Sequence, residues 1–270
     1  MSATSDMLPL PELERIRLAR PPLALAVCQV QFSPVFSVAD AAFIGAFQQA
    51  IQEQYPVAGQ SVQLHVDVAD RTVQQTQSHQ WEFSDREQTW KVVLGQTFLT
   101  LETRRYANFG DFIDRLGSLL DALIQHIHPT LGLRLGLRYV NELRGNAGRW
   151  AEVISRDLLG PLAVPAFRAN ATQATGLQQI LLRYPEHRGV TIFHGAIPTG
   201  TTVRPREGMS EPEDEFYLLD CDVYQEFPPM AGLTLKPEAI CRLVMDLHQV
   251  NYRLFRWALN DTYLRSLREE

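Results

Sequence analysis

The sequence contains few cysteines, and their positions exclude several classes of site. Cys28, Cys221 and Cys241 are the three cysteines among 270 residues. Three is an odd number, and the wide separation lacks the close paired spacing of a zinc site or a dithiol redox motif. We therefore expect each cysteine to behave as a small buried apolar residue.

The sequence also lacks a long apolar segment. No run approaches the roughly 18 uninterrupted apolar residues of a membrane-spanning helix, and residues 1–22 lack the apolar region of a secretory signal. These absences predict a cytoplasmic protein without a membrane partner. A composition of 45% hydrophobic and 21% charged residues is typical of a globular chain.

The sequence also lacks recognisable catalytic or cofactor-binding motifs. We find no phosphate-binding glycine loop, nucleophile elbow or zinc pattern, so we predict no metal, cofactor or catalytic residue. The formal net charge of -6 repels polyanions, which disfavours nucleic acid as a partner. The sequence leaves enzymatic activity uncertain and favours its absence.

The pattern that is present predicts a β-α-β-β-β-β-α unit at residues 23–131, after a flexible leader at 1–22. The strand "LALAVCQVQF" precedes a helix, where Ser37 and Asp40 have the spacing of a capping box. Four strands follow, among them "WKVVLG". A second helix then runs from about Asp111, with apolar residues on one face, until Pro129 ends it.

The same order of elements is predicted again at residues 132–270. "LGLRLGLRYVNEL" reads as a strand and "GRWAEVISRDLL" as a helix, before strands at "AFRANATQAT", "QQILLRY", "GVTIFHGA" and "FYLLDCDVYQEF". A closing helix of some 30 residues starts near Pro237. Residues 197–215 are predicted to be a loop insertion between the last two strands, because proline, glycine and acidic residues are concentrated there.

These elements predict an α+β fold of two pseudo-repeated units. Joined edge to edge, the units form one continuous, largely antiparallel sheet with all helices on one face and the other face open. This topology is similar to the pseudo-symmetric saddle of the TATA-binding protein, and one unit is also similar to a helix-grip domain.

Four landmarks carry a resemblance at the level of sequence: "PPLALAVCQVQFSP", "LRYVNEL", "LLDCD" and "LHQVNYRLFRWALNDTYL". Their order resembles a sporadically distributed family of bacterial proteins of similar length. The resemblance implies no activity, cofactor or site residue. The patchy distribution of that family implies an accessory gene, for example one that serves mobile elements or phage defence.

Alternation along the strand at "LRYVNEL" predicts a polar stripe on the open face of the sheet. The stripe contains Arg134, Arg138 and Glu142, and Gly136 between the arginines leaves room for a planar group. Asp220 and Asp222 are expected on the same face. Pairing of arginine with aspartate is the simpler expectation for them, and a metal or acid–base role is the alternative.

A second group of polar residues is expected on the core side. Asn141, His248 and Asn251 each lie on an otherwise apolar face, so each needs a hydrogen-bond partner. They form either a structural network or the lining of a ligand cavity.

The end of the closing helix is predicted to extend beyond the core and to dock a protein partner. The residues expected to do so are Trp257, Leu259, Tyr263 and Leu264.

Taken together, these features favour a non-catalytic binding or scaffold protein, with protein partners or self-association through the open sheet face. The alternative is a ligand-binding domain or enzyme with a cavity between sheet and helices. Nucleic-acid binding comes third, on account of Arg134, Arg138, Arg144 and Arg149.

Overall fold

The chain was examined as a computed structural model. The structure describes residues 7–10, 16–69, 72–145, 148–169, 175–199 and 214–268. The segments 170–174 and 200–213, which include part of one predicted strand and most of the predicted insertion, lie outside the described residues.

Nine strands of the described residues form one open antiparallel sheet, so the predicted α+β class is confirmed. Its order is β2-β3-β4-β5-β1-β6-β9-β8-β7. The strands are β1 (Leu23–Phe32), β2 (Val57–Ala69), β3 (Thr72–Ser84), β4 (Trp90–Gly95), β5 (Phe98–Thr103), β6 (Gly132–Arg144), β7 (Leu177–Tyr184), β8 (Arg188–Ile197) and β9 (Phe216–Glu226).

Helices of very different length accompany the sheet. The α-helices are α1 (Ala41–Ile51), α2 (Phe109–His126), α3 (Trp150–Val153), α4 (Arg156–Leu159), α5 (Pro165–Arg168), α6 (Pro237–Ala258) and α7 (Asp261–Ser266). Short 3-10 helices lie at Phe36–Ala39, Gly160–Ala163 and Pro185–His187. Among the residues described here, no helix is both long and apolar enough to cross a membrane.

The chain divides into two compact units. Unit 1 consists of Met1–Ala26, Leu137–Tyr224 and Met245–Glu270, and unit 2 of Val27–Gly136 and Gln225–Val244. These boundaries differ from the predicted segments 23–131 and 132–270. The pseudo-repeat itself stays a prediction.

In unit 2, helices α1 and α2 cover one face of strands β3 to β5. The ring of Phe47 on α1 lies 5.8 Å from that of Phe83, and the ring of Phe112 on α2 lies 5.9 Å from that of Trp90. Both helices start at side-chain caps. Asp40 accepts a hydrogen bond from the Ala42 amide, and Asn108 accepts one from the Asp111 amide.

In unit 1, the apolar stripe of α6 packs on the sheet through the buried residues Leu247, Val250 and Leu254. The closing helix is shorter than predicted, because α6 ends at Ala258 after 22 residues. The next residue, Leu259, forms a β-bridge with Ile154, and the Asn260 amide donates to the Val153 carbonyl. These backbone bonds redirect the chain before α7.

The predicted helix at 148–159 is also interrupted. It consists of the one-turn helices α3 and α4, separated at Ile154, which the bridge to Leu259 holds in an extended conformation. The strand predicted at 166–175 is wrong for its first residues, since Ala166–Arg168 belong to α5. Its residues 170–174 lie outside the described residues.

Part of the predicted flexible leader is held by unit 1. The Ile16 amide donates to the Tyr252 hydroxyl, and the Ala19 amide donates to the Leu267 carbonyl. Leu18 forms a β-bridge with Arg268. Residues 16–19 therefore make backbone hydrogen bonds with the end of the chain, and the flexibility of the leader stays a prediction.

Two glycines of the sheet, Gly95 at the end of β4 and Gly195 within β8, have steric reasons to be glycine. A Cβ atom on Gly95 would lie 2.6 Å from the ring of Phe98, its cross-strand neighbour. A Cβ atom on Gly195 would lie 1.9 Å from the carbonyl oxygen of Gly176, and Gly195 has a positive φ of 151°. Larger residues at either position require the neighbouring chain to move.

Candidate binding surface

The face of unit 2 opposite α1 and α2 presents a cross-strand row of mostly polar residues. The register aligns Val57 with Ser84, Ser84 with Lys91, and Lys91 with Glu102. All four are at least partly exposed. Their strand neighbours Phe83 and Val92 point to the helices and are buried. The two faces of this part of the sheet therefore differ sharply in chemistry.

A groove of about 450 Å³ follows this row, and we call it the β2–β5 groove. It is large enough for a few side chains of a partner. Its lining residues are Val57, Ala58, Gly59, Glu82, Phe83, Ser84, Gln88, Thr89, Lys91, Glu102, Thr103 and Arg104.

Glu82 is held in place at the floor of the groove. The Lys91 ammonium lies 2.8 Å from one carboxylate oxygen, and the Ser61 hydroxyl donates to the other at 2.6 Å. Partial burial alone would raise the pKa of Glu82, but the hydrogen bonds from Lys91 and Ser61 outweigh it and lower this pKa. The groove thus contains a fixed pair of opposite charges.

One end of the groove is the loop between β3 and β4, which Asp85 stabilises. Its carboxylate accepts hydrogen bonds from the Thr89 amide at 2.7 Å, the Thr89 hydroxyl at 2.7 Å and the Trp90 amide at 3.1 Å. Burial raises the pKa of Asp85, and these hydrogen bonds lower it by more. The loop is therefore a preorganised wall, although Gln88 in it has a positive φ of 55°.

The polar face continues on β1 and β5. The Gln29 side-chain amide donates from Nε2 to the Thr100 hydroxyl at 3.3 Å, and the Gln31 side-chain amide donates from Nε2 to Oε1 of Gln29 at 2.8 Å. Polar side chains thus extend beyond the groove and enlarge the surface that a partner can contact.

The predicted Arg–Asp pairing is present in unit 1, but the pair is not on an open face. Arg138 donates from Nε and Nη2 to the two carboxylate oxygens of Asp220, both at 2.8 Å. Asp220 is 1% exposed and Val140, two residues after Arg138 on β6, is also 1% exposed. The prediction of an uncovered stripe at these positions is wrong. Asp222 is partly exposed.

Two other polar residues of the predicted stripe interact with their own neighbours. The guanidinium of Arg134 lies over Gly136, with Nη1 2.6 Å from where a Cβ atom would be. The space that we predicted for a planar ligand is therefore filled by Arg134. Glu142 is buried and bound by Arg144 at 2.9 Å, and the Arg144 guanidinium stacks over the ring of Phe216 at 4.6 Å.

The polar residues expected on the core side do have partners. His248 Nδ1 lies 2.9 Å from the Tyr139 hydroxyl. The side-chain amide of Asn141 donates to the backbone carbonyl of Leu219, and the side-chain amide of Asn251 donates to the backbone carbonyl of Leu137. These hydrogen bonds link α6 and β9 to β6. The three polar residues therefore stabilise the packing of these elements and do not form the lining of a ligand cavity.

The residues predicted to dock a partner at the chain end divide into two groups. Leu259 and Leu264 are buried within the chain, so the prediction that they extend beyond the core is wrong. Trp257 and Tyr263 are partly exposed, and a docking role for them stays a prediction.

Sequence reasoning missed the groove, although a signal for it was present. Glu82 and Lys91 each lie between apolar residues, and Glu102 follows Leu101, in runs that we assigned as strands. Aligning these runs as antiparallel neighbours would have placed the three charges side by side. The register between the strands was the information that the sequence did not supply.

Sequence reasoning also missed a buried pair in unit 1. His194 Nδ1 lies 2.8 Å from the Tyr217 hydroxyl, both residues are 1% exposed, and Nε2 of His194 has no hydrogen-bond partner among the described residues. Burial lowers the pKa of His194. It raises the pKa of Tyr217. Both side chains are therefore neutral near pH 7.

This pair predicts a dependence of stability on pH. The folded protein disfavours the protonated form of His194. The contribution of neutral His194 to the free energy of unfolding is therefore complete above the ordinary histidine pKa of about 6.5, and it is lost progressively at lower pH. The free energy of unfolding, measured with urea at pH 7.5 and pH 5.5, should fall less in His194→Gln than in the wild type. Equal losses in wild type and His194→Gln would contradict this assignment.

Comparisons with known proteins assign no site. No protein-family model matches the chain, and no curated protein matches it. Within the described ranges, no group of three or more His, Cys, Asp or Glu side chains is arranged to hold a metal ion.

Proposed function

We propose that this protein is a non-catalytic binding protein whose contact surface is the polar face of unit 2 around the β2–β5 groove. The observation that carries the proposal is the contrast between the two faces of one strand pair. Phe83 and Val92 are buried under the helices, whereas Ser84 and Lys91 are partly exposed in the groove.

The charges of the groove favour a protein partner. Lys91 and Arg104 line it together with Glu82 and Glu102, so it offers neither a continuous positive field nor a purely acidic one. A polyanion would meet two carboxylates in the groove. A polypeptide that carries both acidic and basic side chains can pair with each sign and gain specificity from the match.

The alternative of a ligand cavity between sheet and helices receives less support. Asn141, His248 and Asn251 are each bonded to the chain itself. Arg138 and Asp220 likewise satisfy one another. We therefore place the function on the polar face rather than in the interior.

The proposal is tested with a stoichiometric companion isolated from the native host and then produced as a pure protein. Lys91→Glu places a third carboxylate beside Glu82 and Glu102, so we expect the affinity, measured by titration calorimetry, to fall by about tenfold or more. The matched control is Arg265→Glu on the exposed side of α7, which makes the same change in charge and should leave the affinity unchanged. A companion that binds the wild type and Lys91→Glu equally well would contradict the proposed surface.

A further inference from the structure

Strand β7 is an edge of the sheet. It pairs with β8 from Leu177 to Tyr184, antiparallel, and it is the last strand in the order formed by the described residues. A strand at an edge offers backbone N–H and C=O groups on its outer side, and another strand satisfies them best.

One face of β7 carries two exposed leucines. Exposed and half-buried residues alternate along all eight positions. Leu177 is 47% exposed and Leu181 is 52% exposed, and they share their face with Gln179 and Arg183. Two exposed leucines on a free edge are a binding surface unless something protects them.

The residues that usually protect an edge are missing from the sequence of β7 itself. Its sequence, LQQILLRY, contains no proline, no lysine and no glycine that would bulge the strand. Arg183 is its one charged residue, and it lies near the end. Natural proteins commonly prevent edge-to-edge association with such residues, and here the centre of the strand permits it.

We propose that β7 pairs antiparallel with β7 of a second copy of this chain, about a two-fold axis at Gln179. A second copy is the occupant that the strand itself fits, because a two-fold axis perpendicular to the sheet places the same faces of both copies together. With the axis at Gln179, each Leu177 lies opposite the partner's Leu181, so every one of these exposed leucines contacts a leucine of the other copy.

Neighbouring registers do not achieve this. With the axis at Ile180, Leu177 lies opposite the partner's Arg183 and Leu181 opposite the partner's Gln179. With the axis at Leu181, Leu177 lies opposite the partner's Pro185, which lies outside the strand. The interface consists of one strand from each copy, so it belongs to the small class and forms a weak, concentration-dependent dimer.

The register is tested by a disulfide across the axis in the full-length protein. The background variant Cys241→Ser removes the cysteine that is partly exposed, since Cys28 and Cys221 are buried. In this background, Gln179→Cys should form a covalent dimer under mild oxidation, because facing residues of antiparallel strands have Cα atoms about 4.5 to 5.5 Å apart. Arg183→Cys is the control on the same exposed face. Its two copies would lie about 26 Å apart, so it should form no covalent dimer.

A second variant tests the surface itself. Leu177→Lys with Leu181→Lys places lysines opposite each other, and the exposure of both positions lets the monomer fold. Sedimentation velocity should show the wild type dimerising as its concentration rises and this variant remaining monomeric. A wild type that is monomeric at the highest concentrations, a lysine variant that still dimerises, or a dimer that fails to crosslink at Gln179→Cys would each overturn the proposal.

Discussion

Replacement of Arg138 by methionine is expected to lower the free energy of unfolding by about 3 to 5 kcal/mol. Asp220 is 1% exposed, and both of its carboxylate oxygens accept hydrogen bonds from Arg138 at 2.8 Å. Removing the arginine leaves a buried carboxylate without its bidentate partner, and its desolvation is no longer offset. Urea unfolding at pH 7 measures the loss.

The double variant Arg138→Met with Asp220→Leu separates the cost of an isolated charge from the value of the pair. Because it removes both charges, we expect it to recover much of the stability lost in Arg138→Met. Equal stability of Arg138→Met and the wild type would contradict the buried pairing of Arg138 with Asp220.

Replacement of Phe112 by alanine should have a similarly large effect, again about 3 to 5 kcal/mol. Phe112 is fully buried on α2, and its ring contacts those of Trp90 and Tyr106 at 5.9 and 6.0 Å. The variant loses these contacts and leaves a cavity between α2 and β4.

Phe36→Ala is the matched control for this measurement. The Phe36 side chain is 75% exposed, so its removal should change the free energy of unfolding by less than about 0.5 kcal/mol. Similar losses in the two variants, or a loss below about 1 kcal/mol in Phe112→Ala, would contradict the packing of α2 on the sheet.

The sequence predicts the helices and strands of residues 23–131 well, for a physical reason. Helix α2 has 18 residues, so a repeat of 3.6 residues is unambiguous over five turns. Its apolar residues at this spacing are buried, as is the residue at its C-cap: Phe112, Leu116, Leu119, Leu120, Leu123 and Ile127.

The errors lie where long-range backbone contacts decide the structure. Ile154 and Leu259 each interrupt a helical apolar pattern, because their backbones pair with one another across more than one hundred residues. No local pattern contains that contact. Our helix predictions therefore continued through both breaks.

The candidate sites show the same limit. Alternation placed Arg138 and Asp220 on one face and so anticipated their pairing, but it carried no information about what covers that face. For the β2–β5 groove, the alternation of side chains along each strand was sufficient to identify individual charged residues. The clustering of Glu82, Lys91 and Glu102 depends on strand register, which turns and cross-strand packing fix in the folded protein.

The sheet of unit 2 has one open polar face and one face covered by helices. The reactivity of cysteines placed on these two faces tests this arrangement most directly. Ser84→Cys and Val92→Cys, each in the Cys241→Ser background, change side-chain volume little and lie on opposite faces of neighbouring strands. With a maleimide reagent under native conditions, Cys at 84 should react readily, whereas Cys at 92 should react only after unfolding. Protection of position 84, or ready reaction at position 92, would contradict the open polar face.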